Sequence, residues 1–140
     1  MNLKQSTNIW KESQRNPSYF FDHVAKLPKF ELLGEEHTHW QKQIEIAEHV
    51  RDHELTFVKS GHGVGKTHVT ASIILWFLFS NPNSLVLTTA PTERQVKEIL
   101  WKEIRAQHNE KILGGKITNL KLRINDNWQA LGFTARESVD

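Results

Sequence analysis

The sequence predicts an α/β fold, with a mainly parallel sheet, flanking helices and a C-terminal β-hairpin, on the strength of three observations. A short apolar run, Leu55–Val58, leads into a glycine-rich loop that is followed by an apolar helical stretch over 67–80. A second apolar run, Leu85–Thr89, has the composition of a buried parallel strand. Alternating apolar residues on either side of the polar turn at 125–127 predict an antiparallel hairpin.

Length and composition fit one folded domain. With 140 residues, of which 38% are hydrophobic, the chain is long enough for a single core and too short for two. The net charge of +2 permits contact with nucleic acid without requiring it. The absence of cysteine excludes disulfides and thiolate metal sites. Because the longest apolar run, 73–79, is far shorter than a membrane span and the N-terminus is polar, a soluble intracellular protein is expected.

The first part of the chain is predicted to precede the α/β core. Residues 1–37 are expected to be a lead-in, irregular or helical at its start, and residues 38–140 are expected to form the core. Within the lead-in, Pro17 opens a short helix over 18–26, and Pro28 ends it.

Two further helices are indicated by the spacing of apolar residues. After a connection over 30–38, apolar residues recur at helical spacing over 40–50, which predicts an amphipathic helix. After the second strand, Thr92 and Gln95 form a capping-box pattern for a helix that carries Val96, Ile99, Leu100 and Ile104 on one face.

The glycine-rich loop has the composition of a phosphate-binding P-loop. Its glycines let backbone N–H groups converge on an anion, toward which the following helix directs its positive end. Lys66 would reach the outer phosphates, and the Thr67 hydroxyl would bind Mg²⁺. Ser60 stands where the usual pattern has glycine, and the alternative is a glycine-rich turn in an unrelated connection. The candidate nucleotide-binding residues are Ser60, Gly61, His62, Gly63, Val64, Gly65, Lys66 and Thr67. They predict part of a P-loop NTPase (RecA/ASCE-like) fold, with ATP and Mg²⁺ as ligands.

Gln43 has two interpretations. It is either a solvated side chain near the start of the helix over 40–50, or a residue that pairs with the edge of adenine beside the flat ring of Trp40. The second interpretation uses the donor and the acceptor that a glutamine amide carries together. Spacing alone leaves both open.

The helix that follows Thr92 has a set of cations mostly off its apolar face, namely Arg94, Lys97, Lys102 and Arg105. This set is either an ordinary solvated face or a surface that follows a phosphate backbone. Under the second interpretation, the candidate DNA contacts are Thr89, Thr92, Arg94 and Lys97.

The acidic strand end that P-loop enzymes use for hydrolysis is not found in the sequence. Leu85–Thr89 has no acid at its end, and the run over 122–126 is interrupted by polar residues. Nucleotide binding is therefore better supported than turnover, and no catalytic residue is assigned. His49 and His53 lack the glutamate of a zinc-protease helix, which disfavours a metal site there.

Six segments of the chain, taken together and in order, indicate a family resemblance. They are Asn16–Phe20, Trp40–Ala47, Lys59–Thr67, Thr88–Val96, Leu100–Ile104 and Leu131–Ala135. Together they resemble the N-terminal ATPase region of tailed-phage terminase large subunits. The resemblance implies an ATP-driven motor that packages viral DNA into a procapsid, joined in full-length members to a metal-dependent nuclease. It also implies that Gln43 contacts adenine and that Lys66 and Thr67 bind phosphate and Mg²⁺. His62 stands where some members carry an arginine that follows the nucleotide state.

The resemblance further implies partners and a location. The partners would be double-stranded DNA, the portal and procapsid, the small terminase subunit and other copies of the chain, with no membrane. The location would be the cytoplasm of a bacterial host, with the gene encoded by a phage or prophage. The family's acidic metal-binding strand, catalytic glutamate and nuclease domain have no counterpart in this sequence. The chain is therefore expected to correspond to the first half of an ATPase domain and to bind nucleotide without efficient hydrolysis.

Two alternatives remain open at this stage. A fragment of a superfamily-2-like helicase or translocase would share the upstream glutamine and the Thr-Ala-Pro-Thr loop over 89–92. A remnant without hydrolysis would bind DNA or a partner protein passively, and its binding would survive replacement of Lys66 by alanine.

Overall fold

A computed structural model describes residues 3–63 and 65–135 as a mixed α/β structure. The helices are α1 (Leu3–Arg15), α2 (Pro17–His23), α3 (Gln41–Asp52), α4 (Lys66–Ser80) and α5 (Trp101–Gln107), with a π-helix (Gln95–Leu100) directly before α5. The strands are β1 (Phe30–Leu32), β2 (Glu35–His37), β3 (Leu85–Ala90), β4 (Lys116–Ile117), β5 (Lys121–Asn125) and β6 (Trp128–Thr134). The described part of the chain has no helix that combines the length and apolar composition needed to cross a bilayer.

The larger sheet has the strand order β3-β6-β5-β4. β3 and β6 pair in parallel, whereas β6 with β5 and β5 with β4 pair antiparallel. The prediction of a mainly parallel sheet is therefore wrong for the described residues. The reason is connectivity: β3 reaches β6 through a helical crossover, but short turns join β4, β5 and β6, and short turns permit only antiparallel neighbours.

The predicted C-terminal hairpin is confirmed, and a second hairpin lies where a plain connection was expected. In β5–β6 the turn is held by the Asn127 N–H, which donates to Asn125 Oδ1 at 2.9 Å. In β1–β2 the turn residues Leu33 and Gly34 have φ values of 54° and 81°, the backbone of a tight two-residue hairpin.

α2 ends at His23, three residues before the predicted end of that helix.

The predicted strand Leu55–Val58 is not formed. The segment is irregular, and Leu55 and Phe57 are 69% and 86% exposed. An apolar run becomes a strand only where a neighbouring strand pairs with its backbone, and no described strand pairs with this segment: β3, at the edge of the larger sheet, pairs with β6 alone. Of the predicted order of strand, helix and strand around α4, the first strand is therefore missing, and β3 pairs in parallel with β6.

The helix predicted over 67–80 is confirmed as α4, which is the centre of the core. It is apolar on nearly all sides, and Leu75 and Leu78 are fully buried. α4 contacts the other four α-helices and also β3 and β6. The core it forms includes Phe20 from α2 and Trp101 from α5. This packing fixes the start of α4 relative to α3 and α5.

The larger sheet buries one side of β3 and exposes the other. Val86 packs on the core, and the Thr88 hydroxyl accepts a hydrogen bond from Trp101 Nε1 at 2.9 Å. Leu85 and Leu87 point the opposite way and are 55% and 57% exposed. The described helices thus cover the inner face of β3 and leave these outer side chains accessible.

The predicted capping box at the start of the π-helix is confirmed. The Thr92 N–H donates to Gln95 Oε1, and the Gln95 N–H donates to Thr92 Oγ1, both at 3.3 Å. The π-helix that follows Thr92 has wider turns than the predicted α-helix would have. The Trp101 N–H, for example, bonds to the carbonyl of Val96, five residues earlier.

Candidate functional site

The loop between α3 and α4 turns at its glycines. Gly63 and Gly65 have φ values of 75° and 83°, in the left-handed region that glycine adopts without steric cost. Gly65 is the N-cap of α4, and its carbonyl accepts the Val69 N–H at 3.1 Å. The first amides of α4 have no partner within the helix and face its N-terminal end, an arrangement that attracts anions.

Lys66 and Thr67 are the first two residues of α4. Lys66 Nζ donates to the Ser60 carbonyl at 3.1 Å, so the ammonium group folds back over the loop. Among the described residues, no hydrogen bond engages the Thr67 hydroxyl. A phosphate oxygen is a stronger acceptor than a carbonyl, so it would displace Ser60 from Lys66. The side chains present therefore fit a phosphate with Mg²⁺.

The loop residues before Gly65 are exposed wherever the structure describes them. Ser60, Gly61, His62 and Gly63 are exposed. Val64, part of the predicted loop, lies outside the described residues. The structure thus places the predicted loop residues from Ser60 to Gly63 next to Gly65 and the start of α4, in a position accessible to a ligand.

Gln43 lies against the end of this loop. Its side chain is 6% exposed, its Oε1 accepts the Trp40 N–H at 2.8 Å, and its Nε2 donates to the Gly65 carbonyl at 3.1 Å. The interpretation of Gln43 as a solvated residue is therefore wrong. The protein engages both ends of the amide, and each end keeps one further position, a second N–H on Nε2 and a second lone pair on Oε1.

A cavity of about 530 Å³ lies between α3 and the loop. Its volume falls in the range of about 300–1,000 Å³ that is usual for small-molecule sites. The apolar lining residues include Ile46, Phe57, Val58 and Val69, and the others include Lys42, Glu45, Lys59, Gly65 and Lys66. Apolar side chains accommodate a flat ring, and the lysines favour an anionic group.

A buried polar network lies behind the loop and joins α4 to α5 and to the residue before Trp40. His39 Nε2 lies 2.9 Å from Ser72 Oγ, which donates to Gln107 Oε1 at 2.7 Å. Gln107 Nε2 donates to Glu103 Oε1 at 2.9 Å, and that oxygen lies 2.9 Å from His68 Nδ1. Because His68 is in the first turn of α4, the network extends to the base of the loop.

The network perturbs two titratable groups. Burial, with a smaller contribution from nearby His68, lowers the pKa of His39 from 6.5 to about 4. Burial opposes ionisation of Glu103, but hydrogen bonds from Gln107 and His68 outweigh it and hold the pKa of this carboxyl below its ordinary value. Sequence reasoning missed this network. The available signal was Ser72, a polar residue inside the otherwise apolar α4, whose burial requires a partner.

The four candidate DNA contacts lie along the end of β3 and the start of the π-helix. Thr89, Thr92, Arg94 and Lys97 are at least partly accessible, and Arg94 lies 3.7 Å from Glu98. A groove of about 460 Å³ brings together Arg94, Lys97, Lys102 and Arg105 with Glu98, Ile99 and Asn119. The structure therefore groups Arg94 and Lys97 with two further cations.

His49 and His53 stack on each other at the end of α3. Their ring centroids are 3.9 Å apart, and the rings are nearly parallel. Within residues 3–63 and 65–135, no group of three or more histidine, aspartate or glutamate side chains is placed to hold a metal ion.

Comparison with known proteins identifies a similar phage protein. The chain is 33% identical over 88 residues to a probable terminase large subunit of Enterobacteria phage P7. The match covers 63% of this chain and 17% of the phage protein, so the chain spans about a sixth of the relative that it matches. No protein-family model and no solved structure matches the chain. The similarity to the phage P7 protein supports the resemblance to terminase large subunits.

Proposed function

We propose that this chain binds ATP or ADP with Mg²⁺ through the loop Ser60–Thr67, as the nucleotide-binding part of a DNA-packaging terminase large subunit. The observation that carries the proposal is the conformation at the start of α4. Left-handed glycines at 63 and 65 lead directly into Lys66 and Thr67 beside a cavity of about 530 Å³. This loop places backbone amides, a lysine and a hydroxyl together, which suits a nucleotide phosphate.

Each residue of the site has a proposed part in binding. The amides at the start of α4 and Lys66 Nζ would hold the outer phosphates, and Thr67 Oγ1 would bind Mg²⁺. When bound, Mg²⁺ would neutralise phosphate charge. The wall formed by Ile46, Phe57 and Val58 would cover the base and exclude water from one of its faces. Gln43 adjoins both the cavity and Gly65, in agreement with its proposed place in the site.

Hydrolysis is proposed for the larger motor and not for this chain alone. No acidic pair follows an apolar strand in the sequence, and Glu45, a carboxylate in the cavity wall, is paired with Lys42 at 2.8 Å. In the larger motor, ATP turnover would drive translocation of double-stranded DNA. The portal and procapsid, the small terminase subunit and further copies of the chain would be the other partners. We expect purified residues 1–140 to show no robust ATPase activity.

Equilibrium binding tests the nucleotide site. A fluorescent ATP analogue with Mg²⁺ would be titrated into residues 1–140 and into Lys66→Ala, with Lys111→Ala, an exposed lysine on another loop, as the matched control. We expect micromolar binding by the wild type and by the control, and at least about tenfold weaker binding by Lys66→Ala, because a charge-assisted contact to phosphate is lost. Equal affinity of all three proteins would contradict the proposed site.

A salt titration tests the proposed DNA contacts. If Arg94 and Lys97 each neutralise a phosphate, replacing both with alanine should flatten the slope of log affinity against log salt by about 0.9 per contact. Lys29→Ala is the control, because Lys29 is half exposed, lies directly before β1 and pairs with Glu36 of β2. An unchanged slope in the double variant would assign these cations to the solvated face.

A further inference from the structure

Gln43 connects the start of α3 to the end of the phosphate loop. Its two partners are backbone groups of fixed polarity, since the Trp40 N–H can only donate and the Gly65 carbonyl can only accept. The orientation of the amide is therefore determined by its surroundings. With its side chain 6% exposed, Gln43 is a buried link between two elements that are 22 residues apart in sequence.

The space beside Gly65 is occupied by this same amide. A Cβ added at Gly65 would clash with Gln43 Nε2, and the φ of 83° at Gly65 is unfavourable for any other residue. The Gly65 carbonyl accepts two hydrogen bonds, one from Gln43 Nε2 and one from the Val69 N–H. The side chain of Gln43 thus fills the space beside the last loop glycine and bonds to its carbonyl.

We propose that Gln43 is a positioning residue, which holds Gly65 and the first turn of α4 in the conformation that receives phosphate. This inference rests on the proposed nucleotide site and assigns Gln43 a role that does not depend on the base. The two partly buried hydrogen bonds to the Trp40 N–H and the Gly65 carbonyl form without any base. Each such bond contributes about 0.5–1.5 kcal/mol, which supports a role within the protein.

Binding of three probes separates the two roles. ATP, GTP and inorganic tripolyphosphate, each with Mg²⁺, would be titrated against the wild type, Gln43→Ala and Gln43→Glu. The control is Gln41→Ala, an exposed glutamine two positions away on α3. A positioning role predicts that both Gln43 variants bind all three probes about tenfold more weakly, because the shared phosphate site is disordered. Loss confined to ATP, with tripolyphosphate unaffected, would overturn the inference and assign Gln43 to the base.

Amide hydrogen exchange tests the inference without any ligand. The Val69 N–H bonds to the carbonyl that Gln43 holds, so its exchange should be about tenfold faster in Gln43→Ala and unchanged in Gln41→Ala. Unchanged Val69 exchange in the Gln43 variants would refute the positioning role. If the wild type bound none of the three probes while Val69 exchange still rose, the proposed function would fail, and Gln43 would position Gly65 and the first turn of α4 without a phosphate ligand. Gln43→Glu keeps the side-chain length and the acceptor for Trp40, so it serves if Gln43→Ala does not fold.

Discussion

Lowering the pH is expected to destabilise the protein through His39. Its pKa is lowered from 6.5 to about 4, so the folded protein holds the imidazole neutral and the unfolded chain binds a proton more readily. Stability from this residue is therefore complete above pH 6.5, is lost as the pH falls toward about 4, and levels off below that. Between about pH 7.5 and pH 5 the calculated loss is about 2 kcal/mol.

The surroundings of His39 explain why its protonation is costly. Its side chain is 3% exposed, and its ring lies 4.3 Å from that of Phe21 and 4.9 Å from that of His68. On the α2 side, Asp22 is linked to the imidazole through the hydroxyl of Thr38. On the α5 side, Glu103 lies beyond His68. Among the described residues, no carboxylate contacts the imidazole directly, so a proton there gains no compensating ion pair.

Urea unfolding followed by tryptophan fluorescence would measure the effect. The free energy of unfolding would be obtained at about pH 7.5 and pH 5 for the wild type, His39→Gln and His62→Gln, the last replacing an exposed histidine. We expect the difference between the two pH values to shrink by about 2 kcal/mol in His39→Gln and to be unchanged in His62→Gln. The reasoning is refuted if His39→Gln keeps the full pH dependence of the wild type.

Two further predictions concern the packing that supports the site. Leu75→Ala, at a fully buried position of α4, should lower the free energy of unfolding by about 2–5 kcal/mol. Leu33→Ala, at a position that is 96% exposed, should change it by less than about 0.5 kcal/mol, and similar urea midpoints for both would contradict the assigned core. Gly132→Ala would drive a Cβ into the indole of Trp101 and should cost about 1–3 kcal/mol, while a wild-type midpoint would show that the indole has room to move.

The elements that the sequence predicted correctly are those that local pattern determines. α4 follows a glycine N-cap and is apolar on nearly every side, and the β5–β6 hairpin combines alternation with a turn that bonds to its own side chain. In both cases, residues that are close together in the sequence determine which element forms. The turn at the loop glycines was predictable for the same reason, because glycine adopts a left-handed backbone conformation without the help of distant residues.

The features that the sequence did not reveal depend on distant partners. Leu55–Val58 has the composition of a strand, but a strand also needs an adjacent one, and apolar composition does not provide it. The hydrogen bond between Gln43 and Gly65 spans 22 positions, and the link from Ser72 to Gln107 spans 35. Only a folded chain brings such pairs together, so Gln43 could be singled out as notable while its partner could not be named.

The π-helix before α5 gives the chain tolerance to a change of length. A π turn contains one residue more than an α turn, so deleting one residue between Gln95 and Leu100 would convert it to ordinary α-helix and leave the flanking parts in register. Trp101 and Ile104, both fully buried, would then keep their places against α4. A deletion inside α4 could not be accommodated in this way, because α4 has no extra residue to lose. It would rotate every following side chain by about 100° about the helix axis. Natural length variation in related chains is therefore expected at this turn and not in the helix that begins at the phosphate loop.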